Sequence, residues 1–117
     1  MVINNHHIHV KGSKDRFRDF VYIDDIVDAV LVSLNRTEGY DVFNVCTEIP
    51  TTVEEVVNTI CSSLPYDVSV EYSGGTPGDQ FGIYGVNKKI RESLGWIPKY
   101  NFETGMKKFI DWAITEI

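Results

Sequence analysis

Hydrophobic positions along this chain switch between the period of a strand and the period of a helix. Ile8 to Val10 is a short apolar run, and Phe20-Val21-Tyr22-Ile23 is a fuller one, so both predict strands. Asp24 and Asp25 follow at once. Either carboxylate suits a helix N-cap, because it accepts bonds from first-turn N–H groups that lack a partner. The helix expected over about Asp25 to Asn35 carries Ile26, Val27, Ala29, Val30, Leu31 and Leu34. It is apolar over most of its circumference, which predicts burial on more than one side. Gly39 lies in the exit turn, and Val42-Phe43-Asn44-Val45 predicts a third strand.

The second half has clearer boundaries. Thr51-x-x-Glu54 reads as a capping box, and Val53, Val56, Val57 and Ile60 then repeat at helical spacing up to Pro65. Val68 to Tyr72 alternates as a strand does. Ser73-Gly74-Gly75-Thr76-Pro77-Gly78 must be a loop. A short helix from about Asn87 to Leu94 stops at Gly95, a natural left-handed cap. Asn101 caps a last helix with an apolar stripe of Met106, Phe109, Ile110, Ala113, Ile114 and Ile117. The result is a small α/β chain of short strands and four helices.

Composition narrows the class. At 117 residues the chain fits one domain, 1–117, and a domain of that size can bury about two-thirds of its unfolded surface. Hydrophobic residues at 43% and charged residues at 24% are the values of an ordered globular protein. A formal charge of −6 disfavours generic binding to nucleic acid or an anionic membrane. No apolar run reaches a membrane span of about 18 residues, and the N-terminus has no basic and apolar regions of a secretory signal. Cys46 and Cys61 make neither a disulfide scaffold nor a Cys-x-x-Cys motif. The expectation is a reduced, cytoplasmic protein; Met1 ahead of a strand fits a separate short reading frame, and a piece cut from a longer chain gives the same sequence.

Four constellations bear on chemistry. Arg16-Phe17-Arg18 offers two guanidiniums that could grip a phosphate, or else a surface arginine plus an Arg–Asp19 ion pair bracing the strand start. The loop Gly74 to Gln80 could bring backbone N–H groups to an anion with Asp79 beside a ribose, or could simply connect two elements. It is neither a Walker loop nor a Gly-x-Gly-x-x-Gly fingerprint, which occurs nowhere in the chain. His6-His7-x-His9 can converge at most two imidazoles on one strand face, so a structural zinc site is rejected. Tyr84-x-x-x-Lys88 has the spacing of a proton-transfer pair, but Gly85 follows the tyrosine and the helix begins later, so the two would not share a face. No Ser/His/Asp arrangement is supportable, and the two cysteines read as buried and inert.

From Gly12 to Asp25 the chain resembles the extended short-chain dehydrogenase/reductase family, in its branch of NAD-dependent nucleotide-sugar epimerases and dehydratases. The segment carrying the resemblance reads Gly12-Ser13-Lys14-Asp15-Arg16-Phe17-Arg18-Asp19-Phe20-Val21-Tyr22-Ile23-Asp24-Asp25. It continues through Phe43-Asn44-Val45, Thr76-Pro77-Gly78-Asp79-Gln80-Phe81-Gly82-Ile83-Tyr84, Leu94-Gly95-Trp96-Ile97-Pro98, and the final helix with Gly105 and Trp112. All of these belong to the C-terminal, substrate-side part of that family. The glycine-rich NAD loop, the catalytic serine or threonine and the true Tyr-x-x-x-Lys lie in an N-terminal Rossmann half that this chain lacks.

The resemblance implies roles for individual residues. Arg18 would reach the diphosphate of a nucleotide-diphosphate sugar and Asp79 its ribose. Thr76 stands where many members carry a second phosphate-binding arginine, which leaves Arg16 to compensate, and Gly78 shapes the loop. The aspartate that usually opens the next helix is replaced near Val86, so the cap would shift to Asn87. No cofactor is expected in this chain, NAD belonging to the full-length family. The expected function is to position the nucleotide sugar, inactive alone; the alternative is an oligomerising interaction module without catalysis. A reductase acting on a non-nucleotide substrate fits less well, since Arg18 and the Pro-Gly-Asp loop suit nucleotide sugars. Val42–Val45 would normally complete the edge of the Rossmann sheet. Unpaired, it predicts a two-fold dimer or a separate Rossmann half as partner.

Overall fold

The structure is a computed structural model that describes residues 3–4, 6–36 and 39–116. In chain order it runs β1 (Ile3–Asn4), β2 (His7–Lys11), β3 (Phe17–Asp19), α1 (Ile23–Leu34), β4 (Pro50–Thr52), α2 (Val53–Ser62), β5 (Ser69–Ser73), α3 (Lys88–Leu94) and α4 (Phe102–Thr115). One sheet has the order β1-β2-β5, with β1 antiparallel to β2 and β5 parallel to it. A second, two-stranded sheet pairs β3 and β4 antiparallel. The α/β class, the four helices and the short strands match the sequence pattern.

Four local expectations shift. The apolar run Phe20–Ile23 is not a strand. The ladder instead takes Phe17–Asp19, whose partners are Pro50, Thr51 and Thr52, and Ile23 already opens α1. Thr51 is buried opposite Arg18 in that ladder, so the capping box forms one residue later. Thr52 Oγ1 accepts from Glu55 N at 3.1 Å, and Glu55 Oε2 accepts from Thr52 N at 2.6 Å. Neither Asp24 nor Asp25 caps α1. The cap position is Tyr22 and has no side-chain bond. Asp25 is wholly buried instead, accepting from Lys99 N at 2.9 Å and Tyr100 N at 3.1 Å. Asn87 does stand at the start of α3, yet its side chain donates to Cys46 O at 2.9 Å rather than capping. Gly95 in the left-handed region and the Asn101 cap on Thr104 N at 2.8 Å stand as read.

The core is small. Ala29, Ile90 and Trp96 form its centre, with Val21, Val32, Phe43, Val45 and Leu94 packed around them. Trp96 donates its indole N–H to Asp25 O at 2.9 Å, tying the loop after α3 to the first turn of α1. The expected two-sided burial of α1 does not occur. Ala29 is buried, while Ile23, Val27, Val30, Leu31 and Leu34 stand out, Leu34 being 72% exposed. On α4, Ile110 is buried but Phe109 and Ile114 are exposed. Val42–Val45 alternates in exposure as a strand would, but among the described residues it joins no ladder.

The outline is correspondingly flat, 54 × 35 × 18 Å, with a radius of gyration of 17.1 Å. A compact domain of this length has about 13 Å. The accessible surface is 8206 Å², against about 6,450 Å² for a compact monomer of 13.3 kDa. Exposed apolar side chains are spread along the slab, and α1 carries a run of them in Ile23, Val27, Val30, Leu31 and Leu34, so one face of that helix is left without cover. Among the described residues no helix is long and apolar enough to cross a membrane.

Candidate functional site

The loop from Gly12 to Arg16 is pinned at both ends of its backbone. Gly12 N donates to Ser73 O at 2.9 Å, anchoring it to the end of β5. On the other side, Val53 N donates to Arg16 O at 2.8 Å and Glu54 N to Lys14 O at 3.0 Å. Carbonyls of the loop thus satisfy the first N–H groups of α2, which a helix start leaves without internal partners. Lys14 adds an ion pair with Glu54 at 2.9 Å, and that hydrogen bond raises its pKa.

So held, the loop delivers Arg16 across Gly12. A Cβ on Gly12 would lie 3.0 Å from the Arg16 guanidinium, and its φ of +92° is one that side-chain-bearing residues rarely adopt. Arg16 is only 16% exposed. It donates to Lys11 O at 2.8 Å, Ser13 O at 3.4 Å, Thr76 Oγ1 at 2.8 Å and Asp79 Oδ2 at 2.6 Å. Arg18, on β3, donates to Phe17 O at 2.8 Å, Gln80 O at 2.9 Å, Phe81 O at 3.5 Å and Asp79 Oδ1 at 2.8 Å. One carboxylate therefore bridges two guanidiniums, each oxygen taking one arginine. The Arg16–Asp79–Arg18 unit keeps a net positive charge.

Asp79 is placed by its own loop. Its N–H bonds back to Thr76 O at 3.1 Å, and Gly78 preceding it has φ +82°, so the turn depends on glycine there. All five sequence-predicted residues come together: Arg16, Arg18, Thr76, Gly78 and Asp79. A cavity of about 220 Å³ opens beside them, lined by Arg16, Phe17, Arg18, Phe20, Thr51, Val53 and Asp79. That is below the roughly 300–1,000 Å³ of a complete small-molecule site, so these residues form part of a wall. A second pocket of about 300 Å³, mostly apolar, shares Phe20 and continues to Tyr22, Phe102 and Phe109.

Several expectations here are corrected and others filled in. The Arg–Asp19 ion pair does not form. Asp19 instead accepts from Thr47 N at 2.8 Å, Thr47 Oγ1 at 2.5 Å, Glu48 N at 2.9 Å and Gly85 N at 3.3 Å. It is the post that holds the 47–48 turn, where Glu48 has φ +67°, against the strand carrying Arg18. Gly82 has no role of its own in the sequence reading, yet a Cβ there would lie 2.1 Å from the Phe17 ring, which packs flush on the backbone. Its only signal is a glycine close to an aromatic residue.

Elsewhere, His7 and His9 do share one face of β2, each bonded to a serine of β5, His7 to Ser69 at 2.7 Å and His9 to Ser73. Tyr84 lies outside any helix while Lys88 begins α3. Burial pushes the Cys46 thiol above its ordinary pKa and the nearby Asp19 adds to it, which disfavours the nucleophilic thiolate. Cys61 is half-buried rather than buried.

The described residues do not fit a dinucleotide. Such a group lies against a free helix N-terminus behind a glycine-rich turn. Here α1 opens with Asp24 and Asp25, the first N–H groups of α2 are taken by Arg16, Lys14 and Thr52, and α4 is capped by Asn101.

Comparison with known proteins bears on the whole of this arrangement. The family profile described as GDP-mannose 4,6 dehydratase matches residues 2–109. A protein named putative UDP-glucose 4-epimerase from Methanocaldococcus jannaschii is 31% identical over 101 residues, covering 86% of this chain and 32% of that protein. A dTDP-glucose 4,6-dehydratase from Xanthomonas campestris is 27% identical over 116 residues, covering 91% and 33%. The crystal structure of UDP-glucose 4-epimerase from Thermotoga maritima with UDP-glucose superposes with a TM-score of 0.87 at 30% identity, covering 94% of this chain and 35% of that one. The chain spans about a third of the length of the relatives it matches. With its fold, its motifs and this match over nearly its whole length in agreement, the chain belongs to the GDP-mannose 4,6-dehydratase family of extended short-chain dehydrogenases, alongside the UDP-glucose 4-epimerases and dTDP-glucose 4,6-dehydratases.

Proposed function

We propose that this chain is the part of an NAD-dependent epimerase or dehydratase that holds a nucleotide-diphosphate sugar, and that it has no turnover alone. The observation that carries this reading is the convergence of Arg16 and Arg18 on one point beside an open cavity. Paired guanidiniums offer the planar forks that suit phosphate oxygens, and the cluster keeps a net positive charge within an acidic chain. Its chemical contribution is positioning. Fixing a substrate beside a reactive partner can lower a barrier by several kcal/mol without any acid or base of its own. The sugar and the chemistry on it belong to the portion of the enzyme that this wall faces.

Calorimetric titration with UDP-, dTDP-, CDP- and GDP-sugars, with NAD alongside, tests the reading. One nucleotide sugar should bind saturably and NAD should not. Arg18→Ala should weaken the sugar at least tenfold, because a charge-assisted hydrogen bond contributes roughly 1.5–3 kcal/mol. No binding at millimolar ligand, or equal binding by Arg18→Ala, overturns it.

The bare face of α1 favours a second reading, an oligomerising module derived from the family. The surface excess over a compact monomer exceeds the roughly 800 Å² each partner contributes to a standard interface. Val42–Val45 joins no described ladder, and its Phe43 and Val45 share a groove with Ile26, Ala29 and Val30 of α1. In that reading the face is covered by a second copy of this chain, or by a separate Rossmann half. A stable dimer by light scattering with no nucleotide affinity would favour this module, and a strict monomer at micromolar concentration would count against it.

A further inference from the structure

Two guanidiniums carry ten N–H donors. Arg16 and Arg18 each commit four of their five, leaving one N–H on each. Arginine grips a phosphate through two parallel N–H···O bonds. Neither side chain has an adjacent pair left to do so. Of the acceptors now in place, six are neutral: the carbonyls of Lys11, Ser13 and Phe17, and Thr76 Oγ1, Gln80 O and Phe81 O on the loop that carries Asp79. The remaining two are the oxygens of Asp79, which is the anionic group and sits on an exposed glycine loop.

We infer that Asp79 is a specificity-determining residue of this site: its carboxylate fills the place of a ligand phosphate across the two arginines, and a ligand enters by displacing it. This rests on the reading that the arginines receive the diphosphate. The consequence is selection. An inorganic anion such as pyrophosphate offers the displaced carboxylate at most one P–OH donor near neutral pH and sets several negative charges beside it. A diphosphate ester bearing hydroxyl groups next to its diphosphate offers donors on which the carboxylate re-bonds. The site therefore prefers hydroxyl-bearing diphosphate esters to bare phosphates.

Pyrophosphate and the nucleotide-sugar panel are titrated into the intact chain and into Asp79→Asn by calorimetry, with thermal unfolding in parallel. Asp79→Asn should bind pyrophosphate at least tenfold more tightly than the unmodified chain. Pyrophosphate should raise the unfolding temperature of the variant and leave that of the unmodified chain unmoved. The preference for nucleotide sugar over pyrophosphate should fall by the same factor. Asp79→Ala, which removes the carboxylate without inserting an amide, supplies the same readout where Asp79→Asn folds poorly. Pyrophosphate affinity that is unchanged or weaker in the variants overturns the inference. A pyrophosphate gain with no nucleotide sugar bound by either protein supports the displaced carboxylate while counting against the nucleotide-sugar reading, so the two failures are distinct.

Discussion

Asp25 and Asp24 sit side by side in the first turn of α1, and replacing each by asparagine should separate two physical roles. Were both carboxylates acting on the helix start, either change would cost a few tenths of a kcal/mol, up to about 1. The structure assigns them differently. Asp25 is 0% exposed, and its two oxygens accept from Lys99 N at 2.9 Å and Tyr100 N at 3.1 Å. In Asp25→Asn the new side chain would keep one acceptor and turn an N–H₂ group toward the other N–H, leaving two buried donors facing each other. Losing one charge-assisted bond and stranding a donor costs about 2–4 kcal/mol. In a chain of this length that is a fall in Tm of about 10–15 °C. Asp24 is exposed, and Asp24→Asn should stay within about 0.5 kcal/mol. Thermal and urea unfolding followed by circular dichroism give both values. A Tm for Asp25→Asn within about 2 °C of the unmodified chain, or equal losses for the two variants, refutes the reasoning.

Other predictions follow from single contacts. Gly82→Ala drives a methyl into the Phe17 ring and should cost about 1–3 kcal/mol, read by urea unfolding, with nucleotide-sugar affinity falling because the ring borders the arginines. Unchanged stability would show that the ring moves freely. Glu55 is held below its usual pKa by the backbone N–H and then the hydroxyl of Thr52, so its contribution is present above about pH 4.3 and lost as pH falls through the depressed folded value. The stability gap between the unmodified chain and Glu55→Gln should therefore hold near neutrality and close in acid; a gap that widens in acid contradicts the sign.

What the sequence makes legible is local. Gly95, Asn101 and the glycine loop act through bonds three or four residues long, and each stands where the pattern puts it. The capping box slips by one residue because Thr51-Thr52 and Glu54-Glu55 offer two overlapping frames. The choice is made by the ladder opposite Arg18, which buries Thr51. Phe20–Ile23 looks like a strand by composition, but its aromatic rings pair with residues far along the chain, Phe20 with Phe102 and Tyr22 with Tyr100. The roles of Asp19 and Asp25 are hidden for the same reason, since their partners lie 28 and 74 residues away.

The site is legible only in part from its residue types. Taken alone, Arg16 and Arg18 leave a phosphate grip and a bracing ion pair both open, and the Pro-Gly-Asp loop could be a plain connection; it is the family resemblance that picks out these residues as one site. That Asp79 bridges both arginines is not legible, because the bridge is made by the close approach of two loops some 60 residues apart. The bare face of α1 departs from the expected burial for a different reason. Hydrophobic periodicity reports which faces want cover, and it is silent on whether the cover lies in the same chain.

The claim at the centre of this account is that nucleotide sugar binds at the arginine cluster. Amide chemical shifts of the labelled chain, followed during titration with the nucleotide sugar that binds, test it most directly. Shifts concentrated in residues 11–19 and 76–82, and abolished in Arg18→Ala, are the predicted result. Shifts centred on the exposed face of α1 or the α4 pocket, with the cluster unmoved, would contradict it.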